Sequence, residues 1–105
     1  MVKLLVLEVG LGKKMYLLIP YDITDDKRRR KIEKILSYFG KRVNYSVFEV
    51  EVSRVEYKKL ILELEENSDK KEDHIRVYIL NKESRDKSFV IHRKEEIFDH
   101  ETLYI

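Results

Sequence analysis

A chain of 105 residues, 43% of them hydrophobic, is long enough for one domain with a modest core, which proteins of this size often complete by dimerising. The absence of cysteine excludes a disulfide framework and fits a reducing, cytoplasmic location, and no segment is apolar enough for a membrane span or a signal peptide. Charged residues make up 40% of the chain at a net charge of +2, and the dominance of Lys and Glu over amide side chains predicts a heat-loving source.

The first predicted element is a strand from Met15 to Ile23. It is preceded by an N-terminal extension (residues 1–14) whose structure the sequence does not decide. Apolar residues occur at both odd and even positions of this strand, so we expect both of its faces to be covered. Pro20 has no N–H group for a sheet ladder and predicts a bulge or a local gap in strand pairing. Asp22 lies where the strand ends, and its carboxylate either accepts hydrogen bonds in the turn or binds a metal.

A helix is predicted from about Asp25 to Phe39. Its apolar residues repeat at i, i+3, i+4 and i+7, the pattern of one buried stripe, and are Ile32, Ile35, Leu36 and Phe39. Asp25 and Asp26 are expected to cap its N-terminus and to interact with the helix dipole, and Gly40 is placed to end it.

Five consecutive cations, Lys27 to Lys31, open this helix. They belong to a region, residues 13–43, with ten Lys or Arg against four Asp or Glu and hence a charge of +6. Cations in a first helical turn oppose the dipole, and a phosphate backbone would compensate them; the alternative is a solvated charged face. Because five residues cover more than one turn, they cannot all face one ligand.

The second strand is predicted from about Arg42 to Val52, and its apolar pattern changes phase after Val47. A shift of one residue exchanges the two faces of a strand. We therefore expect either a bulge near Val47–Phe48 or burial of the two halves by different neighbours.

A second helix follows from about Arg54, since Ser53 and Glu56 form a capping box. Its apolar residues repeat the pattern of the first helix and are Tyr57, Leu60, Ile61 and Leu64. The remaining predicted elements are a strand at His74–Leu80, a charged loop at Asn81–Lys87, a short strand at Ser88–His92 and a last short strand at Thr102–Ile105.

This order of elements predicts an α+β fold, the ferredoxin-like βαββαβ plan, for residues 15–92. Residues 93–105 are expected to form a C-terminal segment with an additional short strand. The sheet of this plan carries helices on one face, and homodimerisation through the other face is the simplest cover for its apolar residues.

Three features combine in this chain: a strand ending in Tyr21-Asp22-Ile23, a basic first helical turn at Lys27–Lys31, and the sequence Tyr-Ser-Val-Phe-Glu at Tyr45–Glu49. Together they make residues 15–92 resemble the Cas2 family, the small CRISPR-associated proteins of spacer acquisition. The signal comes from the combination, since each feature alone is weak.

The resemblance implies a homodimer in which Asp22 lies beside its symmetry mate as the catalytic, Mg²⁺-binding acid. It implies binding of nucleic acid, either duplex DNA or RNA or both, with metal-dependent endonuclease activity. In spacer acquisition the family dimer bridges two dimers of the Cas1 integrase and holds the DNA fragment to be inserted. The last strand often crosses to the partner subunit, as Thr102–Ile105 would.

By position, Arg29 matches an arginine of the family's first helix, Arg42 a basic residue before the second strand, and Phe48 the phenylalanine of Ser-Val-Phe. We therefore expect Arg29, Lys31 and Arg42 to bind nucleic acid. For Tyr45 and Phe48, packing in the core or at the dimer interface is favoured over a platform for stacking bases.

Two other functions stay open at this point: a toxin-like, stand-alone endoribonuclease and a non-catalytic ferredoxin-like binding module. Tyr21 is expected to pack rather than to catalyse. His74, His92 and His100 lack zinc-like spacing and are expected to be ordinary surface or core residues.

Overall fold

A computed structural model describes residues 14–98 of the protein, which form an antiparallel sheet with two long helices. The elements, in chain order, are β1 (Lys14–Asp22), α1 (Asp26–Phe39), β2 (Gly40–Asn44), β3 (Val47–Ser53), α2 (Arg54–Glu66), β4 (His74–Ile75), β5 (Tyr78–Leu80) and α3 (Lys82–Lys87). The strands lie in the order β2, β3, β1, with β4 and β5 both on the other side of β1. This order confirms the ferredoxin-like plan.

The predicted third strand is split in two at the level of Pro20. β4 pairs with Tyr21 and Asp22, whereas β5 pairs with residues 16–18 in the same register, so the ladder is interrupted between them. The Pro20 carbonyl accepts a 2.9 Å hydrogen bond from the Arg76 N–H group, but proline has no N–H to return one. The local gap that the sequence predicts is therefore present.

Both long helices begin where their capping residues predict. Asp25 is the N-cap of α1, and its Oδ2 accepts a 2.9 Å hydrogen bond from the Arg28 N–H group. At α2, Ser53 and Glu56 form the complete capping box, with reciprocal bonds of 2.8 and 3.2 Å. At the N-terminus of each helix, the capping side chains accept hydrogen bonds from N–H groups that have no partner within the helix.

The main core lies between the sheet and the helices α1 and α2. Alternate residues of β1 point to this side, and they are buried together with the predicted α1 stripe and with alternate residues of β3. The largest fully buried side chains are Phe48, Leu17, Ile19, Ile32, Leu36, Leu60, Val50 and Val52. Burial of this one face fixes the register of β1.

The opposite side of the sheet, the outer face, is formed along β1 by Tyr16, Leu18, Pro20 and Asp22. Tyr16 is buried there, because Phe98 contacts its ring edge-on at 5.6 Å and the Arg85 guanidinium lies 5.4 Å from the ring centre. Leu18 and Pro20 are half-buried. The chain thus covers part of its own outer face, and cover of the rest by a second copy stays a prediction.

The predicted second strand is in fact two strands, and this part of the sequence interpretation was wrong. Residues 45 and 46 form the turn of a hairpin between β2 and β3. The register shifts between Arg42 and Asn44, so that Val43 is an extra residue opposite the start of β3. The phase change in the sequence reflects this turn and the bulge beside it.

Two predictions for the C-terminal region were also wrong. The expected charged loop is the short helix α3, which Asn81 caps through a 2.8 Å bond from the Ser84 N–H group. Ion pairs at i, i+4 spacing, Lys82–Asp86 and Glu83–Lys87, support it. No strand forms at residues 88–92, which are irregular.

The N-terminal extension and the predicted strand at Thr102–Ile105, with its proposed exchange between subunits, lie outside the described residues apart from Lys14, which begins β1. None of the helices within residues 14–98 is long and apolar enough to cross a membrane.

Candidate metal and nucleic-acid site

Asp22 is the last residue of β1 and lies exposed on the outer face of the sheet. Side chains alternate along a strand, and the neighbouring Tyr21 and Ile23 are both buried in the core on the helix side. The Asp22 carboxylate therefore points away from the helices, towards the side on which a second copy is predicted to pack. Its position is compatible with the predicted metal-binding role.

One chain does not by itself provide a complete metal site. Among residues 14–98 no group of three or more His, Cys, Asp or Glu side chains is placed to hold an ion. Mg²⁺ prefers oxygen ligands and retains several waters, so one carboxylate from each of two chains suits it. Asp22 thus fits the predicted Mg²⁺ only in an assembly that brings two copies of it together.

Arg29 and Arg42 line one small cavity of about 370 Å³ together with Glu33, Tyr45 and Ser46. Arg29 forms a 2.7 Å ion pair with Asp26, which raises the pKa of the guanidinium. The structure thus brings together two of the three predicted nucleic-acid-binding residues.

Arg42 is held by three contacts around this cavity. It forms a 3.2 Å ion pair with Glu33, donates a 3.0 Å hydrogen bond to the Tyr45 carbonyl, and lies 5.5 Å from the centre of the Phe48 ring. Both arginines are therefore already engaged with neighbouring groups of the chain. Binding of a phosphate here requires that it compete with Asp26 and Glu33.

Tyr21 is connected to the same cavity through Glu33. Its hydroxyl donates a 2.6 Å hydrogen bond to Glu33 Oε2, and burial together with this carboxylate raises the pKa of Tyr21 to about 12. The phenol therefore stays protonated at neutral pH. Its ring packs 6.2 Å from Phe48 in the core, in agreement with the predicted packing role.

Lys31 lies in a different place, on the exposed side of α1. Four cations at i, i+3, i+4 and i+7 form this surface, which we call the α1 cation stripe: Lys27, Arg30, Lys31 and Lys34. With Arg28 and Asn67 they line a groove of about 440 Å³. No member of the stripe has an ion pair or hydrogen bond from its side chain to another described residue, so their charges are available to a ligand.

Arg28 does not share this availability, because it ties α1 to the loop before β4. Its Nε lies 2.8 Å from Asp73 Oδ2, and further contacts reach Glu72 and Asp25 at 3.4 and 3.9 Å. The Arg28 guanidinium and the Asp69 N–H group hold the pKa of Asp73 below its usual range. The five cations at the start of α1 therefore fall into three groups. Arg28 binds Asp73, Arg29 lines the cavity with Arg42, and the other three belong to the α1 cation stripe.

The two aromatic residues of the Tyr-Ser-Val-Phe-Glu sequence differ sharply in burial. Phe48 is 1% exposed in the core of the single chain, so its ring is not accessible to a base. Tyr45 is 87% exposed in the hairpin turn and makes no contribution to the core. An interface with a second copy is the packing role left for Tyr45.

Sequence reasoning missed two residues of this region. Lys34 shares the helical spacing of Lys27 and Lys31, and this periodicity was a signal that could have found it. His74 is paired directly with Asp22 across β1 and β4. No local signal marks His74, because the pairing joins segments about fifty residues apart.

Comparison with known proteins gives a consistent answer. A Thermus thermophilus protein named CRISPR-associated endoribonuclease Cas2 is 42% identical over 72 residues, which cover 69% of this chain and 77% of that protein. This relative agrees with the heat-loving source that the composition predicts.

Solved structures agree as well. The crystal structure of Streptococcus pyogenes Cas2 at pH 6.5 has a TM-score of 0.63 and 31% identity, covering 72% of this chain and 98% of that one. A chain of a partial Cas6-RT-Cas1–Cas2 complex has a TM-score of 0.62 and 34% identity, covering 73% and 84%. The family model described as CRISPR associated protein Cas2 matches residues 15–88. The chain belongs to the Cas2 family of CRISPR-associated proteins.

Proposed function

We propose that this protein is a CRISPR adaptation subunit: a nucleic-acid-binding homodimer that works with a Cas1 integrase and cleaves phosphodiester bonds with Mg²⁺ at Asp22. The observation that carries the proposal is the exposed Asp22 carboxylate at the end of β1, on the outer face of the sheet. Family membership supports adaptation over a stand-alone toxin, and the relatives named endoribonucleases support phosphodiester cleavage.

The dimer is argued from the outer face of the sheet. Besides the half-buried Leu18 and Pro20, this face carries Val47, opposite Pro20, and Tyr78, opposite Leu18. A second copy packed there would remove apolar surface from water, and a twofold axis near the end of β1 would bring two Asp22 carboxylates together. Two close carboxylates repel each other, and a cation between them relieves that repulsion.

The Asp22 pair would hold the ion, and Mg²⁺ in this position supplies charge neutralisation and a water of lowered pKa for phosphodiester hydrolysis. The Asp22 carboxylates would supply oxygen ligands, which Mg²⁺ prefers.

Nucleic acid is held by the α1 cation stripe in this proposal. Its four charges have no partner among residues 14–98, and phosphate contacts of this kind position a strand without reading its sequence. Arg29 and Arg42 contribute less to nucleic-acid binding in this proposal, because their guanidinium groups are already paired with Asp26 and Glu33. The substrate, RNA or duplex DNA, is decided by experiment.

The decisive experiment compares wild type, Asp22→Ala and the control Glu83→Ala, which removes an exposed acid of α3. Cleavage of defined RNA and duplex DNA is measured with and without Mg²⁺, and binding is measured by fluorescence anisotropy. We expect Asp22→Ala to abolish Mg²⁺-dependent cleavage while duplex binding stays within about twofold, since the phosphate contacts lie elsewhere. Undiminished hydrolysis by Asp22→Ala, in a preparation cleared of contaminating nucleases, would overturn the catalytic assignment.

The proposed partner is tested separately. A tagged copy of the chain is expressed with the Cas1 integrase of the same source, and the purified complex is sized. Co-purification in a fixed ratio supports the adaptation role, and the absence of any complex contradicts it.

A further inference from the structure

Asp22 and His74 are directly opposite each other in the antiparallel pair of β1 and β4. Opposed residues of such a pair carry their Cβ atoms roughly 5 Å apart on the same face. Ile75, the neighbour of His74, packs against the core on the helix side, so His74 points to the outer face, as Asp22 does. Both side chains are exposed there. The Asp22 and His74 side chains thus project from paired backbone positions on the face proposed for a metal.

We propose that His74 is a second metal-ligating residue and that the site accordingly prefers a first-row transition ion to Mg²⁺. Carboxylate and water oxygens suit Mg²⁺, whereas imidazole suits ions such as Co²⁺, Ni²⁺ and Zn²⁺. One Asp22 oxygen and one His74 nitrogen from each of two copies give a mixed set of four donors. This inference rests on the proposed function, because it assumes the same twofold arrangement around Asp22.

The surroundings of His74 hold its backbone in place. Asp73, the preceding residue, has a side chain only 1% exposed, which accepts bonds of 2.8 Å from Arg28 and 2.7 Å from the Asp69 N–H group. Ligating side chains on such supported backbone bind metals more tightly, because less freedom is lost on binding.

One cation on this face, Arg76, is directed elsewhere. Arg76 lies opposite Pro20 in the register of β1, one alternate position from His74, and its Nη1 donates a 3.0 Å hydrogen bond to the Tyr78 hydroxyl. Its guanidinium is therefore drawn along β5, away from Asp22 and His74. The pair is left open for a cation.

The test measures metal binding without any substrate. Isothermal titration of the metal-free full chain with CoCl₂ and with MgCl₂ is carried out at about pH 8, because protons compete with metal ions for ligating groups at lower pH. The visible absorption of bound Co²⁺ reports nitrogen ligation independently of heat. The variants are His74→Ala, Asp22→Asn and the control His92→Asn. The control removes another exposed imidazole, and asparagine was chosen because it tolerates the positive φ of 69° at this position.

We expect Co²⁺ to bind wild type at least about tenfold more tightly than Mg²⁺. His74→Ala should lose about tenfold or more in Co²⁺ affinity and the nitrogen-dependent absorption, with Mg²⁺ affinity within about twofold. Asp22→Asn should weaken both ions, and His92→Asn neither. Unchanged Co²⁺ affinity in His74→Ala, or an equal loss for both ions, overturns the proposal.

The outcome is distinguishable from failure of the proposed function. Co²⁺ binding that depends on His74, in a protein that cleaves nothing, refutes the nuclease and keeps the metal site. Cleavage that depends on Asp22 and Mg²⁺, without a preference for Co²⁺, refutes the His74 metal site and keeps the nuclease. Thermal unfolding of the metal-free His74→Ala variant within about 2 °C of wild type verifies that the exposed substitution has not altered the fold.

Discussion

The Tyr21 hydroxyl and the Glu33 carboxylate are joined by a 2.6 Å hydrogen bond, and Arg42 forms an ion pair with the same Glu33 oxygen at 3.2 Å. The first prediction removes the hydroxyl. Tyr21→Phe keeps the buried ring but leaves Glu33 with Arg42 alone, so we expect the free energy of unfolding to fall by about 1 to 2 kcal/mol at neutral pH. Urea denaturation measures it, and Tyr38→Phe, at an exposed ring, is the control.

Burial of Tyr21, together with this hydrogen bond, predicts a loss of stability at high pH. The folded pKa of Tyr21 is about 12 against its usual 10.0, so the stabilisation is complete below pH 10 and is lost as the pH rises through about 12. Across this window the free energy of unfolding of wild type should fall by about 2 to 3 kcal/mol more than that of Tyr21→Phe. Parallel curves for the two proteins between pH 10 and 12 would contradict the assigned shift.

The buried end of the Arg28–Asp73 ion pair predicts sensitivity to acid. The pKa of Asp73 is lowered in the folded protein, so its stabilisation is present above the unfolded value of about 3.9 and is lost as the pH falls through the folded value. Asp73→Asn should cost about 2 kcal/mol at neutral pH and flatten the decline in stability below about pH 4.

The control for this substitution is Asp86→Asn in α3. The Asp86 carboxylate pairs with Lys82 and Arg85 at the surface, and its pKa is also lowered. Exposed pairs contribute little, so we expect a much smaller loss than for Asp73→Asn. Equal losses for the two variants, measured by urea denaturation at low salt, would show that the burial of Asp73 has no special effect.

The parts of the fold that were predictable are those with local causes. The capping box at Ser53, the buried stripe of α1 and the gap opposite Pro20 each follow from residues within one or two turns of chain. The hairpin after Asn44 was missed because its two turn residues, Tyr45 and Ser46, are not those of the common hairpin turns. The shift in the apolar pattern after Val47 was the only sign of the hairpin in the sequence.

The candidate site was predictable only where a short motif or helical spacing marks it. Asp22 follows an apolar strand, and the cations of α1 follow one another, so both are visible in the sequence. His74 depends on the pairing of β4 with β1, and the capture of Arg28 by Asp73 depends on a loop 45 residues away. Such pairings are set by tertiary packing, which leaves no periodic signal.

At Gly40, where α1 meets β2, the backbone lies too close to β3 to accommodate a side chain. Its backbone is extended, with φ of −158°, so a left-handed conformation is not the reason for glycine. A Cβ atom there would lie 2.6 Å from Val50 Cγ2 and still closer to the Glu49 carbonyl oxygen. We expect Gly40→Ala to lower the free energy of unfolding by about 1 to 3 kcal/mol, because backbone must move.

The origin of that loss is separated by a second substitution. Val50→Ala in the Gly40→Ala background removes the side-chain contact but leaves the one with the Glu49 carbonyl. The loss relative to Val50→Ala alone should therefore persist in urea denaturation. Ser37→Ala, exposed on α1, should change stability by less than about 0.5 kcal/mol, and a neutral Gly40→Ala would refute the close approach.

The α1 cation stripe predicts a specific dependence of duplex binding on salt. Each phosphate contact contributes about −0.9 to the slope of log affinity against log salt concentration. The triple variant Lys27→Gln, Lys31→Gln, Lys34→Gln should therefore flatten this slope by nearly 3 and weaken binding for every sequence alike. Fluorescence anisotropy between about 50 and 200 mM salt covers the useful range.

A matched control decides whether position or total charge is responsible. Arg54→Gln, Lys58→Gln, Lys59→Gln removes the same charge from exposed residues of α2. Contacts with phosphate act at short range because salt screens charges beyond about 10 Å, so the slope of this second variant should stay near that of wild type. Equal flattening by the two triple variants would mean that net charge attracts the duplex and that the groove on α1 is not its binding site.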